Sequence, residues 1–238
     1  MRWFLTRVTA VRPVVAILAG LGVVPALVVA SPAWGMAGSR TGEAVERDVR
    51  QLITVTAVSH RSTYASLTAY RRAKSRWVRV FGPWRARVGY NGIARPGAKR
   101  EGDGRTPAGT YGLGFFFGVR PDPGVAFPYR RARSYDFWDD DPASPRYNQW
   151  VDRRRHDPGR NPEPMDQQPA YDYAAVIRYN VARVPGLGSA IFLHVGTSSA
   201  TAGCVSLPRR ELLAILRWLR PSQSPRITIG VAAGTRGG

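Results

Sequence analysis

One stretch of this chain carries helical spacing: Leu212, Leu213, Ile215, Leu216 and Leu219 form a single apolar stripe. Pro208 opens it, where proline is tolerated, and Pro221 stops it. The rest of the apolar sequence comes in short runs punctuated by 25 glycines and 19 prolines in 238 residues. Runs at 52–58, 77–81, 87–90, 111–117, 173–179, 190–194 and 226–231 read as strands. Gly82-Pro83 bounds the second, and Asn91-Gly92 is a turn signal after the third. The expected fold is therefore mainly β, sandwich- or barrel-like, with one prominent helix. Residues 119–170 read as a long irregular loop. Tyr129, Tyr135, Phe137, Trp138, Tyr147 and Trp150 within it predict a loop that is ordered and packed over a site.

Just before the helix stands Cys204, the chain's single cysteine, ten residues after His194. It has no disulfide partner within the chain, so its thiol needs another use. A neighbouring imidazole can take the thiol proton and ready the sulfur for attack on a carbonyl. The strand 190–194 ends in His194, and Gly203-Cys204 leads toward the helix, so the two side chains are predicted to meet. Gly203 supplies backbone freedom for a tight turn. His60 and His156 lack any metal-ligand or His-pair spacing; His60 reads as a surface residue and His156 as part of a solvated Arg153-Arg154-Arg155 run. Asp139, Asp140 and Asp141 are successive and cannot all face one ion, so no metal site is expected, and no cofactor.

The N-terminus reads as an export signal. Arg2, Arg7 and Arg12 flank an apolar stretch at 14–30 that is followed by small residues. Residues 1–33 are thus expected to be a signal peptide or an uncleaved signal anchor, 34–50 a linker, 51–231 the main domain and 232–238 a tail. The domain is expected to lie outside the cytoplasm. Net charge is +19, and +16 without the three N-terminal arginines. Such a surface favours polyanions, and for an exported protein anionic cell-wall polymers suit better than nucleic acid, which is not expected as a partner. Only Lys74 and Lys99 among the 35 basic residues are lysine, which points to a GC-rich genome and a compositional share in that charge.

Three stretches together resemble the L,D-transpeptidase catalytic domain, the YkuD family. They are 99–111, running from Lys99 through Thr106-Pro107-Ala108-Gly109 to Tyr111; 190–194, ending in His194; and Thr201-Ala202-Gly203-Cys204 followed by the helix. They fall in family order, as in a secreted, actinobacterial-type member. The resemblance implies an acyltransferase acting on peptidoglycan stem peptides through a Cys204 thioester. His194 would act as base, backbone N–H groups at Gly203 and Cys204 would hold the oxyanion, and a group at Val195, Gly196 or Thr197 would orient the histidine. Lys99, Thr106, Tyr111 and Thr201 are implied to contact substrate, although the 106–109 segment also reads as a turn between strands. Water in place of the amine acceptor would give an L,D-carboxypeptidase or endopeptidase, and a decayed site would leave a basic wall-binding module. Two positions depart from the family pattern: Ala202 replaces the usual histidine, and Ser206 stands where asparagine or arginine is usual. The departures bear on substrate choice and rate.

Overall fold

The computed structural model describes residues 49–232. Among these residues twelve strands and one α-helix are formed: β1 (Gln51–Ala57), β2 (Tyr64–Ala73), β3 (Arg76–Arg87), β4 (Gly109–Gly118), β5 (Tyr129–Arg131), β6 (Asp136–Asp139), β7 (Gln149–Asp152), β8 (Glu163–Pro164), β9 (Ala174–Ile177), β10 (Phe192–Val195), β11 (Val205–Leu207), α1 (Arg209–Trp218) and β12 (Arg226–Val231). Nine strands make one sheet, ordered β12-β1-β2-β3-β11-β10-β9-β4-β5. Because β12 also pairs with β4, eight of them close into a ring, and β5 is added alongside β4. The mainly β, barrel-like expectation is met. Among the described residues no helix is long and apolar enough to cross a membrane.

Alternating side chains fill the barrel. Ile53 and Val55 of β1, Leu67 of β2, Phe116 of β4, Leu193 of β10 and Ile227 of β12 point inward and are buried. The α1 stripe joins the same core through Leu212, Ile215, Leu216 and Leu219. Each of these side chains stabilises the fold by roughly 1.5–3 kcal/mol relative to exposure. A second, aromatic cluster lies outside β4, β9 and β10. It contains Phe117, Trp138, Met165, Tyr171, Phe192 and Cys204. Every residue of β9 and β10 is buried, as expected for strands covered on both faces.

Three readings of the sequence are corrected. First, β2 was not foreseen. Its inward face is Ala65, Leu67 and Ala69, so only leucine signals a strand, and alanine carries little β preference. Second, 77–81 and 87–90 are not separate strands; β3 runs from Arg76 to Arg87 through a cis Gly82–Pro83 bond. There the β2–β3 register shifts, and Gly82 approaches Leu67 so closely that a Cβ would lie 2.4 Å from its carbonyl oxygen. Proline is tolerated at such irregularities. Third, 119–170 is not wholly irregular: it contains β5 and a three-stranded sheet ordered β7-β6-β8. These strands have two to four residues, too short to show a period of two in the sequence. The proposed signal segment at 1–33, most of the linker at 34–50 and most of the tail at 232–238 lie outside the described residues.

Candidate active site

His194 sits on β10, beside Ala174 of β9 and Ser206 of β11. Its Nδ1 lies 2.8 Å from the Val195 carbonyl oxygen. A carbonyl can only accept, so Nδ1 carries the proton and Nε2 keeps a lone pair. Of the three groups considered for orienting the histidine, the structure thus selects Val195. The ring also packs edge-to-face on Tyr171 at 5.6 Å, and the Tyr171 hydroxyl donates to Glu163 at 2.8 Å.

Cys204 immediately precedes β11. Gly203 has φ +154°, and a Cβ there would lie 3.1 Å from the Arg105 carbonyl oxygen, so glycine is required at this turn. Two hydroxyls fix the cysteine's backbone. Thr201 Oγ1 donates to the Cys204 carbonyl at 2.7 Å and accepts the Gly203 N–H at 3.1 Å. Thr106 Oγ1 donates to the same carbonyl at 3.2 Å and accepts the Gly89 N–H at 2.9 Å. The thiol donates to the Ala190 carbonyl at 3.2 Å and accepts the Phe192 N–H at 3.3 Å. His194 is not among its hydrogen-bond partners in the described residues. Cys204 and His194 nevertheless line one cleft of about 450 Å³. Burial pushes the thiol up to about 12, with Glu163 and Asp140 adding to the rise, and pushes the imidazole down to about 4. Both groups are therefore neutral near pH 7, and no thiolate–imidazolium pair exists in advance.

The chain matches the YkuD family, described as the L,D-transpeptidase catalytic domain, over residues 52–229. It belongs to that family. Among solved structures it is similar to the helical cell shape determining protein Pgp2 from Campylobacter jejuni, at 14% identity and a TM-score of 0.39. That alignment covers 79% of this chain and 50% of the other, so the chain spans about half the length of Pgp2. No curated protein gives a match. The domain is thus of the L,D-transpeptidase catalytic type.

In this L,D-transpeptidase domain the cleft has an acidic wall. Glu101, Asp140 and Glu163 all line it, in a chain of net charge +19. Ser189 Oγ lies 2.8 Å from both Glu101 Oε2 and Asp140 Oδ1. A hydroxyl has one proton, so one of these contacts needs a proton on the carboxyl. Asp140 is the group suited to hold it: burial, opposed by the Ser189 bond and helped by the charges of Glu163, Glu101 and Asp139, raises it to about 7. The three successive aspartates diverge. Asp139 is buried and bonded to Ser144, Asp140 faces the cleft, and Asp141 accepts the Ala143 and Arg160 N–H groups.

The other residues singled out from the sequence separate. Lys99, Thr201 and Gly203 line the cleft with Cys204 and His194. The Lys99 ammonium is already engaged by Asp103 at 2.7 Å and by the Arg100 carbonyl at 2.6 Å, which leaves it poorly placed to hold a substrate carboxylate. Thr106 has no exposed surface and acts under the site through the Cys204 backbone. Tyr111 is not at the cleft: its hydroxyl donates to Ala108, its ring packs on Tyr179, and it borders a separate groove. The Gly203 N–H, expected to hold an oxyanion, is taken by Thr201. The long segment does reach the cleft, contributing Asp140, Glu163, Gln167 and Ala170. His60 is partly buried, bonded through Nδ1 to the Ile93 carbonyl, and His156 is exposed beside Arg146. Sequence reasoning missed Tyr171, Ser189 and the acidic role of Glu101 and Glu163. They come from separate segments that only the sheet order brings together.

Proposed function

We propose that this is an exported L,D-transpeptidase that forms a Cys204 thioester with a peptidoglycan stem peptide and passes the acyl group to an amine. The observation that carries the reading is the His194–Val195 bond: it fixes the tautomer whose Nε2 can take a proton, in the same cleft as the chain's single thiol. Because both groups start neutral, proton transfer accompanies attack rather than preceding it. The Cys204 sulfur bonds to the peptide carbonyl carbon while its proton passes to His194 Nε2. The Cys204 N–H, at the head of β11, stabilises the oxyanion, a contribution on the order of 3 kcal/mol. The C–N bond then breaks, and His194 returns the proton to the leaving amine. A second amine attacks the thioester carbonyl and loses a proton to His194; the C–S bond then breaks and His194 returns that proton to the Cys204 sulfur. The acidic wall suits an amine-bearing stem peptide, because carboxylates in a partly enclosed cleft favour a cationic group. The N-terminal apolar stretch supports export, and the surplus positive charge supports association with anionic wall polymers.

Incubating a tetrapeptide muropeptide with and without an acceptor stem, then weighing the products, tests the assignment. Cross-linked product that requires the acceptor is expected. Product of hydrolysis alone, at equal rate in both, would make the enzyme an L,D-carboxypeptidase. No turnover together with retained binding to purified wall would make it a binding module.

A further inference from the structure

A second cavity, of about 290 Å³, adjoins the catalytic cleft and shares Thr197 with it. Its character is opposite to that of the cleft. Arg85, Arg87, Tyr64, Ser206 and Pro208 line it, and no acidic residue does. The register places His194, Ser206 and Arg87 in one row across β10, β11 and β3, so the cavity continues the catalytic row. Two buried polar atoms in it lack partners: Ser206 Oγ and Arg87 Nε. Ser206 is only 1% exposed, so bulk water does not serve its hydroxyl. Arg85 and Arg87 stack on the Tyr64 ring at 3.9 and 3.8 Å, which holds both guanidiniums in place. Neither forms an ion pair among the described residues. Compensation is not available nearby in sequence either: residues 51–100 contain eleven basic residues and no acidic one. The N-terminus of α1 opens onto the same space at Pro208 and adds a positive dipole end.

Unpaired buried donors are costly, and an ordered water would satisfy the hydrogen bonds but not the charge. An oxyanion satisfies both. We propose that this cavity binds a free carboxylate of the peptide substrate, with Arg87 and Ser206 as its hydrogen-bond donors and Arg85 as a second positive charge. The word substrate rests on the function proposed above; the anion site itself does not. Arg87 and Ser206 are then specificity residues, selecting peptides that present a carboxylate on the β3 side of His194 and Cys204. A carboxylate is the anion that a peptide substrate carries, and a planar guanidinium can meet it with two parallel hydrogen bonds.

Two arms test this on the full chain. In the first, carbon-13-labelled acetate is titrated and its line broadening followed, with inorganic phosphate as the comparison. Saturable acetate binding is expected, weakened at least tenfold in Arg87→Gln and severalfold in Ser206→Ala, with melting temperatures confirming that both variants fold. Unchanged acetate binding in both variants, or phosphate binding more than tenfold tighter than acetate, would overturn the carboxylate site. In the second arm, a stem peptide with free carboxylates is compared with its amidated counterpart. Amidation is expected to raise KM at least tenfold in the wild type and less than threefold in Arg87→Gln. An equal penalty in both would overturn the substrate assignment while leaving the anion site. Absence of turnover with either peptide would instead count against the proposed function, and the acetate arm would still read the cavity.

Discussion

The cleft and the cavity beside it share one strand row and one residue, Thr197, yet they differ in sign. The cleft presents Glu101, Asp140 and Glu163; the cavity presents Arg85 and Arg87. The cleft's charges are already organised, with Ser189 bridging two carboxyls and Lys99 held by Asp103. The cavity's are held by Tyr64 but unpaired, and two of its buried polar atoms have no partner. Pre-bonded groups tune the chemistry of the pair between them, whereas unpaired ones await a ligand. A stem peptide carries both amines and carboxylates, and a face divided in this way would orient it across His194 and Cys204.

The largest expected effect ignores the division. His194→Ala removes the proposed base, so acylation should slow by about 10²–10⁴ whatever charge the peptide bears. Stopped-flow acylation with amidated and free-acid peptides measures this; a loss confined to one of them would mean that His194 acts in recognition. Next is the pH response. An unfolded histidine titrates near 6.5, and folded His194 near 4. Between these values the unfolded chain binds a proton that the native one refuses. Stability is therefore full above pH 6.5 and falls as pH drops toward 4, by on the order of 3 kcal/mol. Asp140 acts with the opposite sign in that window, so the fall is read as the difference between the urea midpoints of the wild type and of His194→Phe, which should shrink as pH drops from 6.5 to 4.

Asp140 has the opposite sign. Its folded value near 7 lies above the 3.8 of a free carboxyl, so its contribution is complete below pH 3.8 and is lost as pH rises to 7. Thr106→Val should come third. It leaves the Gly89 N–H unpaired and the Cys204 carbonyl with one hydroxyl, costing about 1–3 kcal/mol, read as a lowered melting temperature. The smallest effect is the sharpest test of the comparison. Glu163→Gln should weaken amine-bearing peptides about tenfold in KM while leaving the carboxylate preference intact, and Arg87→Gln should do the reverse. If both variants lose both preferences, the two compartments are one.

Much of the barrel and the centre of the site were legible because they rest on local signals. The α1 stripe, the Gly203-Cys204 turn and the apolar run ending at His194 each declare themselves within a few residues. What was hidden depends on long-range pairing. The β2 strand was masked by its alanines, and β3 by a Gly-Pro that the strand absorbs. Arg87 meets Ser206 only because β3 closes onto β11 at a single residue pair. Glu101, Asp140 and Glu163 converge from a motif loop, the residue after β6, and β8, and no spacing in the sequence relates them. Tyr111 fell within a recognised motif, yet its side chain serves the turn at Ala108.

The claim on which the account turns is that Cys204 receives the acyl group. Intact-mass measurement after exposure to a carbapenem, followed by peptide mapping, tests it directly. The account predicts one stable adduct on the peptide containing Cys204 in the wild-type chain and none in Cys204→Ala, with both proteins folded. Adducts of equal yield on the two chains, or an adduct mapped to another residue, would contradict it.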